Sequence, residues 1–155
     1  PILHVGKFTR GLGRYSTAAY RESSELPDAD YPLMLTTGRV LYHYNACAMT
    51  DKTEGINEIS GHSFIEINTK DAANLGIENG DRVVVSSRRG RIESVAHVSG
   101  KTNAGETWMP FHFQDGNCNW LTKAALDNIC STPEYKVCAV KVEKAGAASS
   151  AAFSA

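Results

Sequence analysis

The feature that most constrains the fold of this chain is a succession of short β-forming runs, each closed by a turn signal. Leu33-Met34-Leu35-Thr36-Thr37 and Phe64-Ile65-Glu66-Ile67 read as short buried strands. Asn79-Gly80-Asp81 is a tight turn leading into Arg82–Ser86. That run and Arg91–Val98 meet around Arg89-Gly90 and predict a hairpin. Glu106–Phe111 predicts a further strand. Tyr135–Val142 predicts the last, with Val137, Ala139 and Lys141 alternating against Cys138, Val140 and Val142. Asn68 or Thr69 can cap a short helix over Lys70–Leu75, closed by Gly76. A second short helix is expected within Leu121–Ile129. Six or so strands with few helices predict a mainly β fold closed into a barrel, because closure leaves no exposed edge. No internal repeat of fixed period is visible.

The 155 residues fit one domain, and 42% hydrophobic residues supply a core. Residues 1–30 lack a hydrophobic period, and the turn signals Leu26-Pro27-Asp28 and Asp30-Tyr31-Pro32 place the start of the domain near Tyr31. The expected organisation is an extended N-terminal arm (1–30), a barrel (31–144) and a disordered tail (145–155) too poor in apolar groups to order itself. The arm is polarised: Lys7, Arg10, Arg14 and Arg21 come first, then Glu22, Glu25, Asp28 and Asp30. It reads either as a solvated segment or as one that docks on a larger partner.

A net charge of -1 argues against broad electrostatic binding to nucleic acid or anionic membrane. No apolar stretch is long enough to span a bilayer, and no secretory signal opens the chain. Cysteines at 47, 118, 130 and 138 form no C-x-x-C pair, so neither a zinc nor an iron–sulfur framework is expected. They read as reduced thiols in a cytoplasmic protein, with a periplasmic location left open. Cys118 stands out because it lies in the polar run Gln114–Asn119.

Three stretches are rich in ligand-binding chemistry. Thr36–Thr50 follows a buried strand and holds Thr37, Gly38, Arg39, His43 and Asn45. Glycine permits close backbone approach, arginine grips phosphate or carboxylate oxygens in a fork, and His and Asn match the heteroatoms of a planar heterocycle. Met109–Thr122 brackets His112 with Phe111 and Phe113 and carries Asn119 in a polar loop. Thr132–Lys136 leads by way of Pro133 to Tyr135 and Lys136, whose ammonium suits a phosphate. Each stretch also has a plain structural reading: capped turns, a core aromatic pair and an exposed lysine at a strand start. No hydrolase G-x-S-x-G, no phosphate-loop G-x-x-x-x-G-K-[ST] and no H-E-x-x-H occurs, so neither catalytic nor metal-ligating residues are assigned.

The run Leu26-Pro27-Asp28, then Tyr31–Arg39 and His43-Tyr44, resembles the opening of the C-terminal cofactor-binding domain of the molybdopterin-dinucleotide oxidoreductases, most closely that of molybdenum or tungsten formate dehydrogenases. Ile67–Ala72, Leu75-Gly76-Ile77, Gly80–Val83 and Ser87–Gly90 resemble its middle, and Thr132–Lys136 with Cys138-Ala139-Val140 its last strand. The similarity covers roughly residues 20–144. It implies a six-stranded double-psi β-barrel covering a bis-molybdopterin guanine dinucleotide that carries Mo or W. Arg39, His43, Asn45, His112, Asn119, Tyr135 and Lys136 match positions where the family contacts pterin, pyrophosphate or guanine, and Thr37 and Gly38 match the close backbone approach. Phe111 stands where some relatives have Tyr.

The family's metal ligand and iron–sulfur cysteines lie in other domains, so the resemblance implies a chain that does not oxidise formate alone. It would be an excised domain or a small subunit, partnered by the remaining domains or a large catalytic subunit. Two other readings stand beside it: the same domain acting on nitrate or on a sulfur or arsenic oxyanion, and a cofactor-free barrel adaptor.

Overall fold

The computed structural model describes residues 2–146. Six strands form the body: β1 (Leu33–Gly38), β2 (Phe64–Asn68), β3 (Arg82–Ser86), β4 (Arg91–Ser99), β5 (Glu106–Pro110) and β6 (Cys138–Lys144). Two short helices, α1 (Glu54–Ser60) and α2 (Thr69–Leu75), and 3-10 turns at Thr50–Lys52 and Cys118–Trp120 complete it. The strands close into a barrel in the order β1-β5-β2-β4-β3-β6. β1 with β5 and β2 with β4 run parallel, and the other four pairs run antiparallel. Exchanging β1, β2, β3 for β4, β5, β6 preserves every neighbour and every strand sense. This two-fold interleaving is the double-psi barrel that the resemblance implied.

Alternation along the strands builds the core. Leu35, Ile65, Ile67, Val83, Val85, Met109, Val140 and Val142 meet inside the barrel, each at most 1% exposed. Each such side chain contributes about 1.5–3 kcal/mol by leaving water. α2 forms where expected: the Asn68 side chain caps it by accepting the Lys70 N–H, and Ala72 reaches the core. Gly76 ends it in the left-handed region (φ 65°), where a residue with a Cβ is strained, and Ile77 donates to Ala72 O at 2.9 Å.

The structure departs from expectation at four places. β5 stops at Pro110, which has no N–H to extend the ladder. β6 begins at Cys138 rather than Tyr135, because the Thr37 and Thr36 hydroxyls donate to the carbonyls of Tyr135 (3.0 Å) and Lys136 (3.1 Å) in place of a strand ladder. No helix forms in Leu121–Ile129. There the Asp127 carboxylate accepts the N–H groups of both Ile129 and Cys130 at 2.8 Å, turning the backbone aside. Finally, α1 was not anticipated. It buries no residue, so no apolar period announces it.

Residues 2–22 are exposed, and residues 23–31 lie against the barrel. Of the tail expected over 145–155, residues 147–155 fall outside the described residues. No helix among the described residues is long and apolar enough to cross a membrane.

Candidate functional site

The three stretches converge at one mouth of the barrel. At the end of β1, Gly38 O accepts the Phe111 N–H at 3.1 Å, which brings the loop after β5 alongside. Lys136 returns across β1 and donates from Nζ to Thr37 O at 2.8 Å. Thr37, only 1% exposed, is held by the bond to Tyr135 O. The result is a row of charge and rings. The Arg39 guanidinium lies 5.3 Å from the Phe111 ring centre, Phe111 meets Tyr135 edge-on at 6.2 Å, and Lys136 Nζ sits 5.7 Å from the Tyr135 ring. Two cations thus bracket an aromatic floor, each also within reach of a ring face. Asn119 supports the floor by donating from Nδ2 to Phe111 O at 3.0 Å.

Gly38 is required by packing. A Cβ there would stand 2.6 Å from Trp108 Nε1, inside any tolerable contact. Trp108 faces Thr36 in the ladder and packs against Phe64 at 5.6 Å.

The two histidines turn inward. His43 is 4% exposed, and its Nε2–H donates to the Ser60 carbonyl. Its Nδ1 therefore accepts, taking the Thr50 hydroxyl proton at 2.9 Å. His112, 7% exposed, accepts the Val40 N–H on Nε2 at 3.4 Å. That leaves Nδ1 as the donor, 3.0 Å from Cys47 Sγ. Burial, and then the neighbouring His43 ring, hold the His112 pKa below the ordinary imidazole value. Burial pushes the Cys47 thiol up. The pair is thus neutral imidazole beside neutral thiol. Both histidines fasten the 39–50 loop from beneath, with rings 5.3 Å apart, instead of facing outward as free donors. Asn45 lies exposed on that loop in the left-handed region (φ 49°), which asparagine tolerates.

Cys118, which stood out in the sequence for its polar neighbours, faces the core. It is wholly buried against Pro110 O, and burial pushes its pKa up to about 12. Among the described residues, no group of three or more His, Cys, Asp or Glu is placed to hold a metal ion.

Sequence reasoning overlooked Glu25, Arg89 and Lys123, which tie the arm to the segments carrying the mouth. The available signal was the Arg88-Arg89 doublet beside a hairpin turn, paired with the acidic block at 22–30.

Comparison with known proteins agrees with the fold. A solved structure, the acetylene hydratase of Pelobacter acetylenicus, superposes with a TM-score of 0.69 at 18% identity over 82% of this chain and 21% of its own, which shows the shared fold. The F420-dependent formate dehydrogenase subunit alpha of Methanocaldococcus jannaschii is 49% identical over 145 residues, 92% of this chain and 22% of the relative. A nitrate reductase of Symbiobacterium thermophilum is 42% identical over 130 residues, 81% of this chain and 17% of the relative. The chain therefore spans about a fifth of the length of these curated relatives. Residues 33–139, running from β1 to the start of β6 and taking in the whole mouth, match the model of the molydopterin dinucleotide binding domain, and the chain belongs to that family.

Proposed function

We propose that this chain covers the pterin-guanine dinucleotide of a molybdenum- or tungsten-dependent formate dehydrogenase, working in the cytoplasm with the remaining domains or large subunit of that enzyme. One observation carries the reading: the row Arg39–Phe111–Tyr135–Lys136 at the mouth. A dinucleotide presents a charged pyrophosphate flanked by flat heterocycles, and that donor set fits it. Arg39 offers a planar fork, and Lys136 keeps two ammonium protons beyond the one given to Thr37 O. Phe111 and Tyr135 offer ring faces and edges to a heterocycle. Thr37, Gly38 and Asn119 set the shape of the floor, Asn45 stands exposed at its margin, and His43 and His112 hold the loop beneath it.

The bound cofactor supplies the redox chemistry by which formate yields two electrons and a proton to leave carbon dioxide. The work of this chain is to neutralise pyrophosphate charge, orient the rings and keep water out. The 49% identity to a formate dehydrogenase subunit, against 42% to a nitrate reductase, favours formate as substrate. Four unpaired cysteines favour a reducing compartment.

The test is the Arg39→Ala/Lys136→Ala double variant in the assembled enzyme, analysed for metal and pterin after purification. The expected result is loss of most of the cofactor with the protein still assembled. Full occupancy would overturn the assignment. Nitrate reduction by the intact enzyme without formate oxidation would move the domain to the other substrate class.

A further inference from the structure

Beside the end of β1 and the loop that follows it, the mouth is built from two segments, 111–122 and 134–139, and the N-terminal arm is connected to both. Glu25, whose side chain is 13% exposed, is the centre of the joint. Its Oε1 accepts from Arg89 Nη2 at 2.9 Å and from the Ala139 N–H at 2.7 Å, while Oε2 pairs with Arg89 Nη1. Arg89 passes the connection on by donating from Nε (3.1 Å) and Nη2 (2.7 Å) to the carbonyl of the fully buried Leu121. A second joint lies beside the first. Lys123 Nζ, its side chain 8% exposed, pairs with Glu134 at 2.8 Å and also reaches the Ser23 hydroxyl. Glu134 directly precedes the site residues Tyr135 and Lys136. Arg88 closes the outer edge, pairing with Asp28 and lying 4.7 Å from the Tyr31 ring centre. The arm therefore reaches the end of one mouth segment, at Leu121 through Arg89 and at Lys123 just beyond it, and both ends of the other, at Ala139 directly and at Glu134 through Lys123.

We propose that Ser23–Asp28 is a clasp that positions the cofactor-gripping segments, with Glu25 and Arg89 as positioning residues that never touch the cofactor. This rests on the reading of the mouth given above. The bond pattern explains why a carboxylate and an arginine are needed. One planar guanidinium serves a carboxylate and a carbonyl together, and one carboxylate serves a guanidinium and a backbone N–H together. The clasp also gives the arm a means of acting on the mouth. A pull on residues 2–22 from any neighbouring domain reaches Leu121 and Ala139 through two side chains.

The experiment compares the full chain with Glu25→Gln and Arg89→Lys. Glutamine keeps shape and an acceptor oxygen but loses the charge. Lysine keeps the charge but loses the planar fork that meets both Glu25 oxygens and the Leu121 carbonyl at once. Amide hydrogen exchange is followed residue by residue, and binding of guanosine diphosphate, a probe carrying guanine and pyrophosphate, is measured by titration. The expected outcome is roughly tenfold faster exchange in both variants at Phe111, Trp120, Leu121 and 138–140, with the β2–β4 ladder protected as in the parent. A uniform rise across all six strands would mark a merely stabilising ion pair and overturn the proposal, as would unchanged exchange at the mouth. The nucleotide judges the other reading separately. A parent chain that ignores guanosine diphosphate counts against the mouth as a dinucleotide site, while exchange still decides the clasp. A parent that binds, with variants that bind equally well and exchange alike, refutes the clasp alone.

Discussion

Replacing Gly38 by alanine tests the geometry of the mouth at its tightest point. The added Cβ would fall 2.6 Å from Trp108 Nε1 and 3.0 Å from both Cε2 and Cζ2. Ordinary contact needs about 3.5 Å or more, so the ring must retreat by about an ångström or the strand must shift. Neither is free. Trp108 is pinned on one side by Phe64, 5.6 Å away, and β1 is locked to β5 by the Thr36–Trp108 and Gly38–Pro110 register. Overpacking of this kind costs about 1–3 kcal/mol. With a urea dependence of about 2 kcal/mol per molar, the unfolding midpoint of Gly38→Ala should fall by about 0.5–1.5 M. Trp108 is the half-buried tryptophan and Trp120 the exposed one, so the folded-state emission should change with the displaced ring. Trp108→Leu removes the obstacle, and a double-mutant cycle should show about 1 kcal/mol or more of favourable coupling. A midpoint within about 0.2 M of the parent, or no coupling, would refute the claim that Gly38 is there to admit the indole.

Two further outcomes follow from the same chemistry. Burial raises the Cys118 pKa to about 12 and the Cys138 pKa to about 11, and raises that of Cys47, whereas Cys130 is exposed. Iodoacetamide at pH 8 on the folded chain should therefore label Cys130 first. Mass spectrometry showing Cys118 or Cys138 modified at the same rate would contradict the barrel interior drawn here. Stability should also fall with acid in two stages. His112 has a folded pKa below the ordinary 6.5, so the unfolded chain takes up its proton first and stability drops as pH falls below that value. Glu25, held below its ordinary 4.5 chiefly by the hydrogen bond from Arg89, contributes stability above that value and loses it as pH falls through the folded pKa. A thermal midpoint that is flat from pH 8 to 5, or a His112→Gln variant that leaves the upper stage intact, would rule out the first stage.

Much of the fold was legible because its signals are local. Asn68 caps α2 through the N–H of the residue two ahead, and Gly76 stops it with its own φ. The β3–β4 hairpin is set by Arg89-Gly90 and by alternation on either side. The extent of β6 was not legible, because threonine hydroxyls a hundred residues upstream in β1 displaced its first ladder bonds. Helix α1 escaped notice because it is held by His43 and by the Asn57 side chain on the Asp51 carbonyl rather than by an apolar face. The convergence of the Thr37, His112 and Lys136 stretches was anticipated through family resemblance. The inward turn of the two histidines was not, since it depends on the Ser60 and Val40 backbone groups that they meet in space.

The amino-acid sequence alone determined a chain of short strands, one capped helix, thiols without close partners, and three polar stretches with the residue types a phosphate-bearing heterocycle requires. Tertiary structure decided the rest: the parallel pairing of β1 with β5 and β2 with β4, the two-fold interleaving of the halves, the cation–ring–ring–cation row, and the clasp joining Glu25 to Arg89 across 64 residues. The division has a physical cause. Strand, cap and turn preferences act over a few neighbouring residues. The order of strands and the partner of a half-buried carboxylate are settled only when distant segments compete to bury apolar surface and satisfy the same polar groups.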